Sequence, residues 1–130
     1  VTRAIRITVD SKVEDVEISD WTGIAPSIGA DWFDIVRLKE YADMYVDDTG
    51  LLTDRPVNMI ASCLATESAG FPRLIVGDVL IAGHDGNGNT VDVPEWVVSY
   101  LKSFDIESER EKIRCALVEK LVAAMAGRVK

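Results

Sequence analysis

Histidine is almost missing from this chain: His84 is the only one in 130 residues, and Cys63 and Cys115 are the only cysteines. One histidine excludes a catalytic zinc held by several imidazoles, and any Ser-His-Asp or Cys-His nucleophile would have to use His84. Neither cysteine has a neighbour at metal-ligand spacing, so no metal site is expected. Each sits in an apolar helical pattern, which suits a buried thiol in a reducing cytoplasm, although the count also permits one disulfide. No apolar run is long enough to cross a bilayer, and no basic-then-apolar stretch opens the chain. Phosphate-cradling loops of the G-x-x-x-x-G-K-[ST] and G-x-G-x-x-G types are absent, as is a G-x-S-x-G elbow. Basic clusters are lacking too. Arg3, Arg6, Arg55 and Arg73 stand apart in sequence, so nucleic acid is not an expected partner.

What is present describes a folded domain. Hydrophobic residues make up 48% of the chain and charged residues 28%, too apolar for intrinsic disorder. A 14.3 kDa monomer exposes about 6,800 Å² of the roughly 20,700 Å² its unfolded chain would show, enough burial for a core without disulfide or metal. Residues 1–130 therefore read as one domain.

Charge is uneven. The net charge is −8, and all of it falls between Asp10 and Asp48, where eleven acids face only Lys12, Arg37 and Lys39. Such a field repels phosphates and attracts basic surfaces. Two readings follow: a solubility feature, or the docking face of a basic partner, with Glu14, Asp15, Glu17, Asp43, Asp47 and Asp48 as its candidate acids.

Period-two alternation marks strands at Ala4–Val9 and Val13–Ile18, joined by Asp10-Ser11-Lys12. Trp21 to Ala30 has no clear period and reads as a loop or a broken short helix. Trp32–Leu38 and Met44–Asp47 are expected strands, the latter ending in Asp47-Asp48-Thr49-Gly50. A helix is predicted from Pro56 to Gly70, capped by Asp54, with Val57, Ile60, Ala61, Leu64 and Ala65 as its apolar face. Leu74–Val76 is extended, Val79–Ala82 a strand, His84–Asn89 a hairpin loop and Thr90–Val93 a short strand. A second helix runs from Pro94 to Phe104 on Trp96, Val97, Tyr100, Leu101 and Phe104. The last helix, from about Ser108 to Ala126, opens on a capping-box spacing of Ser108 and Glu111. Its stripe of Ile113, Leu117, Leu121 and Met125 covers its own sheet or pairs with a second copy in a homodimer. The expected fold is α+β: a small, mostly antiparallel sheet of five to six strands packed with three helices.

No residue set assembles into catalytic or cofactor-binding chemistry. His84 reads as a polar hairpin residue. Asp85, Asn87 and Asn89 have calcium-like spacing, but an EF-hand loop needs glycine at its sixth position and glutamate at its twelfth. Thr90 and Trp96 stand there.

Several segments resemble, in order, one family. Ala4 to Asp10 with Val13 to Ile18, then Asp43-Met44-Tyr45-Val46-Asp47-Asp48 with Gly50-Leu51, then Arg55-Pro56-Val57-Asn58 with Ala61, then Ile75 to Ile81 are similar to blocks of a domain of unknown function common in bacteriophages and mobile elements. The resemblance spans residues 3–95 and leaves a helical part at 96–130. The chain departs from it at Trp21–Ala30, where a regular helix would stand, and in the tail after Phe104. It brings no activity, cofactor or catalytic residue. It implies a phage or mobile-element setting, and hence a non-enzymatic accessory protein that binds a host or phage protein. The alternatives are an oligomer that binds or sequesters a small molecule, and an enzyme with a carboxylate-based site.

Overall fold

A computed structural model of the chain describes residues 1–49 and 55–104. Its elements are β1 (Thr2–Ile7), β2 (Val13–Ile18), a 3₁₀ turn (Trp21–Gly23) running into the single-turn α1 (Ile24–Ser27), β3 (Phe33–Arg37), β4 (Ala42–Asp47), α2 (Met59–Ala69), β5 (Val79–His84), β6 (Thr90–Val91) and α3 (Glu95–Lys102). The strands make one antiparallel sheet in the order β2-β1-β5-β4-β3, and β6 pairs with the end of β5. The fold is α+β, as composition and periodicity suggest. The helix expected beyond Ser108, with Ile113, Leu117, Leu121 and Met125, lies outside the described residues, as does Cys115.

Strand β5 is central and buried on both faces, which its near-continuous apolar run Val79-Leu80-Ile81-Ala82 requires. Val79 and Ile81 turn toward α2 and α3, joining Ile5, Ile7, Met44, Ile60, Leu64 and Val97 in the larger core. Leu80 and Ala82 turn the other way, where Ile24 of α1 and Ile28 just beyond it meet Ala4, Ile18 and Tyr45. The period-less stretch after Trp21 is thus a lid on the second face of the sheet. Its length leaves room for little more than one helical turn.

The start of α2 differs from expectation. Asp54 lies outside the described residues, and Pro56–Asn58 is not helical. The Gly77 N–H donates to the Pro56 carbonyl at 2.8 Å and the Asn58 N–H to the Ile75 carbonyl at 2.8 Å, so this segment stays extended against residues 75–77. Val57 forms an isolated bridge with Val76 and is exposed rather than part of the helix face. Asn58 is the cap: its Oδ1 accepts from the Ala61 N–H at 3.1 Å, while its Nδ2 donates to the carbonyls of Ile7 and Gly77 at 2.9 Å each. One buried amide joins helix, strand and loop. Gly70 ends α2 at φ 77°, a left-handed cap favoured by the missing Cβ.

Gly83 shows why β5 can pair on both sides at its end. A Cβ there would sit 2.4 Å from the Asp92 carbonyl oxygen and 3.3 Å from that of Tyr41. Gly83→Ala is therefore expected to push β6 away and cost about 1–3 kcal/mol, read as a lower urea midpoint. An unchanged midpoint would show that the backbone around Asp92 yields freely.

Candidate functional site

The six candidate acids do not make one face. Asp43 and Asp47 are only 4% and 8% exposed, Asp47 lying against Arg55 and Thr49 and Asp43 beside Arg37 and His84. Along β2, alternation sends Glu14 to one face of the sheet and Asp15 and Glu17 to the other. Strand β2 is also at the opposite edge of the sheet from β3 and its neighbour β4. Asp48 alone of the second group stays exposed.

Arg3, Arg6 and Arg55 each meet one acid. Arg6 Nε donates to Glu14 Oε1 at 3.1 Å, and this hydrogen bond holds the Glu14 carboxyl below its usual range. Arg3 reaches Asp15 at 4.0 Å, both side chains being well exposed. Arg55 pairs with Asp47 and donates from Nη2 to the Gly29 carbonyl, so it links α1's loop to β4. Burial pushes the Asp47 carboxyl up, but the N–H and hydroxyl of Thr49 together with Arg55 outweigh it and leave it below the usual range.

His84 closes β5 rather than opening the hairpin tip, as its sequence position suggested. Its Nε2 lies 3.9 Å from Asp43 Oδ1, and Arg37 Nε lies 3.0 Å from the same oxygen, without an aligned hydrogen bond to it. These side chains border an open cleft of about 180 Å³ with Tyr45, Asn89 and Thr90. Register brings them together: β3 pairs Arg37 with Asp43, and β4 sets Asp43 beside Ala82, two residues before His84. The loop beyond is self-contained. Asp85 Oδ2 accepts from Asn89 Nδ2 at 2.8 Å and Oδ1 from the Asn87 N–H at 2.7 Å; these bonds, the Asn89 side chain first, hold its carboxyl low. Among the described residues, no three of His, Cys, Asp and Glu come together to hold a metal.

The surface feature that the sequence did not announce is aromatic. Trp21 and Trp32 are 61% and 57% exposed, with ring centroids 6.2 Å apart and planes at 72°. Trp32 stacks on Phe33 at 5.9 Å and 15°, and Phe33 meets the buried Tyr45 edge-on at 5.2 Å. A chain of four rings thus runs from core to solvent. Asp20 caps the turn that carries Trp21 by accepting from Thr22, whose hydroxyl and N–H hold its carboxyl low. Asp31 and Asp34 flank Trp32 in sequence, and the Asp48 N–H donates to the Trp32 carbonyl at 3.4 Å. Among the described residues, no base pairs with Asp20, Asp31, Asp34 or Asp48.

Residues 2–105 match the family described as Domain of unknown function (DUF3846). The chain belongs to the DUF3846 family. No curated protein and no solved structure matches it. The match covers all ten described elements, so α3 is part of the DUF3846 domain and residues beyond 105 follow it. No helix among the described residues of this DUF3846 domain is long and apolar enough to cross a membrane.

Proposed function

We propose that this DUF3846 protein is a non-enzymatic accessory factor that binds another protein through its surface. The observation that carries this reading is the Trp21–Trp32 ledge, two large rings held in water on a rigid aromatic base. Solvent-exposed tryptophan costs hydrophobic free energy, and tryptophan is the residue type most enriched where protein interfaces concentrate their binding energy. The surrounding carboxylates, which pair with no base among the described residues, supply the charge that steers a basic partner. Four clefts bordered by described residues, from about 180 to about 470 Å³, are open to solvent. The resemblance to phage and mobile-element proteins adds a setting, a bacterial host cell whose cytoplasm supplies the partner.

The test is retention of proteins from a bacterial lysate on immobilised wild-type chain, compared with a Trp21→Ala/Trp32→Ala variant. The wild type is expected to retain a basic protein that the variant loses, and retention should fall between 0.1 and 0.5 M salt as exposed charges are screened over about 8–10 Å at physiological ionic strength. Equal retention by both baits, or none by either, would overturn the reading.

A further inference from the structure

Within that reading, we infer that the Trp21–Trp32 ledge takes an arginine side chain from the partner, presented on an exposed basic segment. More than half of each indole remains in water, and the 72° angle between them at 6.2 Å gives two non-parallel aromatic walls in place of one flat patch. An indole face attracts a cation within about 6 Å of its centroid. This chain already makes such a contact internally, with Lys39 Nζ 5.3 Å from the Trp96 ring centroid.

Charge then selects the occupant. Asp20 and Asp31 immediately precede Trp21 and Trp32, the Asp48 N–H donates to the Trp32 carbonyl, and all three aspartates are exposed. Arg55, the base tied to Gly29 at the end of α1, is engaged by Asp47 and the Gly29 carbonyl. An uncharged apolar side chain would bury the rings but leave these carboxylates unmatched. A guanidinium stacks flat on an indole and forks onto a carboxylate at once, which a lysine ammonium does not do. Rigidity favours the same use. Trp32 is braced by Phe33 and Tyr45, and Trp21 by its capped turn, so little side-chain freedom is lost on docking.

The experiment is calorimetric titration of the full 130-residue chain with three peptides of one length, alternating glycine with arginine, lysine or citrulline. The arginine peptide should bind tightest, the lysine peptide several-fold more weakly, and the citrulline peptide hardly at all. Trp21→Ala/Trp32→Ala should weaken the arginine peptide about tenfold or more, whereas Trp21→Phe/Trp32→Phe keeps ring faces and should recover part of that loss. Asp31→Asn/Asp48→Asn should weaken it to a similar degree. Circular dichroism confirms that each variant is folded. Loss with the acid variant alone overturns the arginine seat and leaves the acidic docking surface standing. Equal binding of arginine and lysine peptides overturns the stacking assignment. Loss with neither variant, or no binding of any peptide, overturns the seat; the lysate comparison then decides the broader reading by itself.

Discussion

Replacing Asn58 by alanine should lower the stability of the domain by about 3 kcal/mol, because one side chain serves three elements. Loss of a helix N-cap alone costs about 1 kcal/mol, and each buried group left without its partner costs roughly 1–3 kcal/mol more. Asn58→Ala removes the acceptor for the Ala61 N–H and the donor for the Ile7 and Gly77 carbonyls, in a site fully shielded from solvent. The total falls below the sum of these terms because water admitted to the vacated space can satisfy some of the groups. Urea denaturation should show a lower midpoint with an unchanged slope. Asn58→Asp sharpens the test. It keeps the cap acceptor but turns a carboxylate oxygen toward two carbonyls, so it should be at least as destabilised at neutral pH and partly recover on acidification. An alanine variant within 1 kcal/mol of wild type would show that the junction of α2, β1 and residues 75–77 does not depend on this amide.

The second large effect concerns Arg55. Its guanidinium is the positive charge paired with the buried Asp47 carboxylate, and removing one partner of a buried pair leaves an uncompensated charge costing about 3–5 kcal/mol. Thr49 still donates to Asp47 through its N–H and hydroxyl, so Arg55→Ala should cost the lower part of that range, about 3–4 kcal/mol. The pH dependence has a definite sign. The Asp47 carboxyl is held below its unfolded value of about 3.9, so its contribution is complete above that pH and is lost as pH falls through the lower folded value. In Arg55→Ala the folded value rises, and the gap between variant and wild type should narrow at pH 3. Thermal or urea midpoints at pH 7, 5 and 3 read this directly. A gap that stays constant across that range would mean that Arg55 acts through packing and its Gly29 contact, not through charge.

Strands and the second face of the domain differ in how far the sequence reveals them. Alternation placed Val13–Ile18 within its observed bounds and β3 within a residue of its ends, since a half-buried strand writes its two faces into successive residues. It set β1 two residues late, because Val9 continues the apolar pattern into the turn, where its N–H is taken by Asp78 Oδ1 at 2.9 Å. The start of α2 was misplaced for a different reason. Pro56 is compatible with a first helical turn, but the bonds from residues 75–77 that keep it extended are long-range and leave no local mark. The lid at Trp21–Ser27 is too short to show a helical period.

The candidate site was less legible still. A count of acids cannot distinguish Asp43 and Asp47, folded inward against Arg37 and Arg55, from Asp31 and Asp48 in solvent. Trp32 falls in an alternating strand and Trp21 follows a capping aspartate; either would pass for core. Their exposure is a tertiary outcome. The Asp43–His84 approach likewise needs the register of β4 on β5, which no spacing in the chain encodes.

The claim that this surface does the binding is most directly tested by the indole N–H signals of the three tryptophans in a ¹⁵N NMR titration with the arginine–glycine peptide. Trp96 is an internal control, since its Nε1 donates to the Glu40 carbonyl at 3.1 Å. The account predicts that the Trp21 and Trp32 signals shift together and saturate with the binding isotherm while Trp96 stays in place. Shifts confined to the backbone signals of His84, Asn89 and Thr90, with Trp21 and Trp32 unmoved, would contradict it and move the binding site to the cleft beside Asp43.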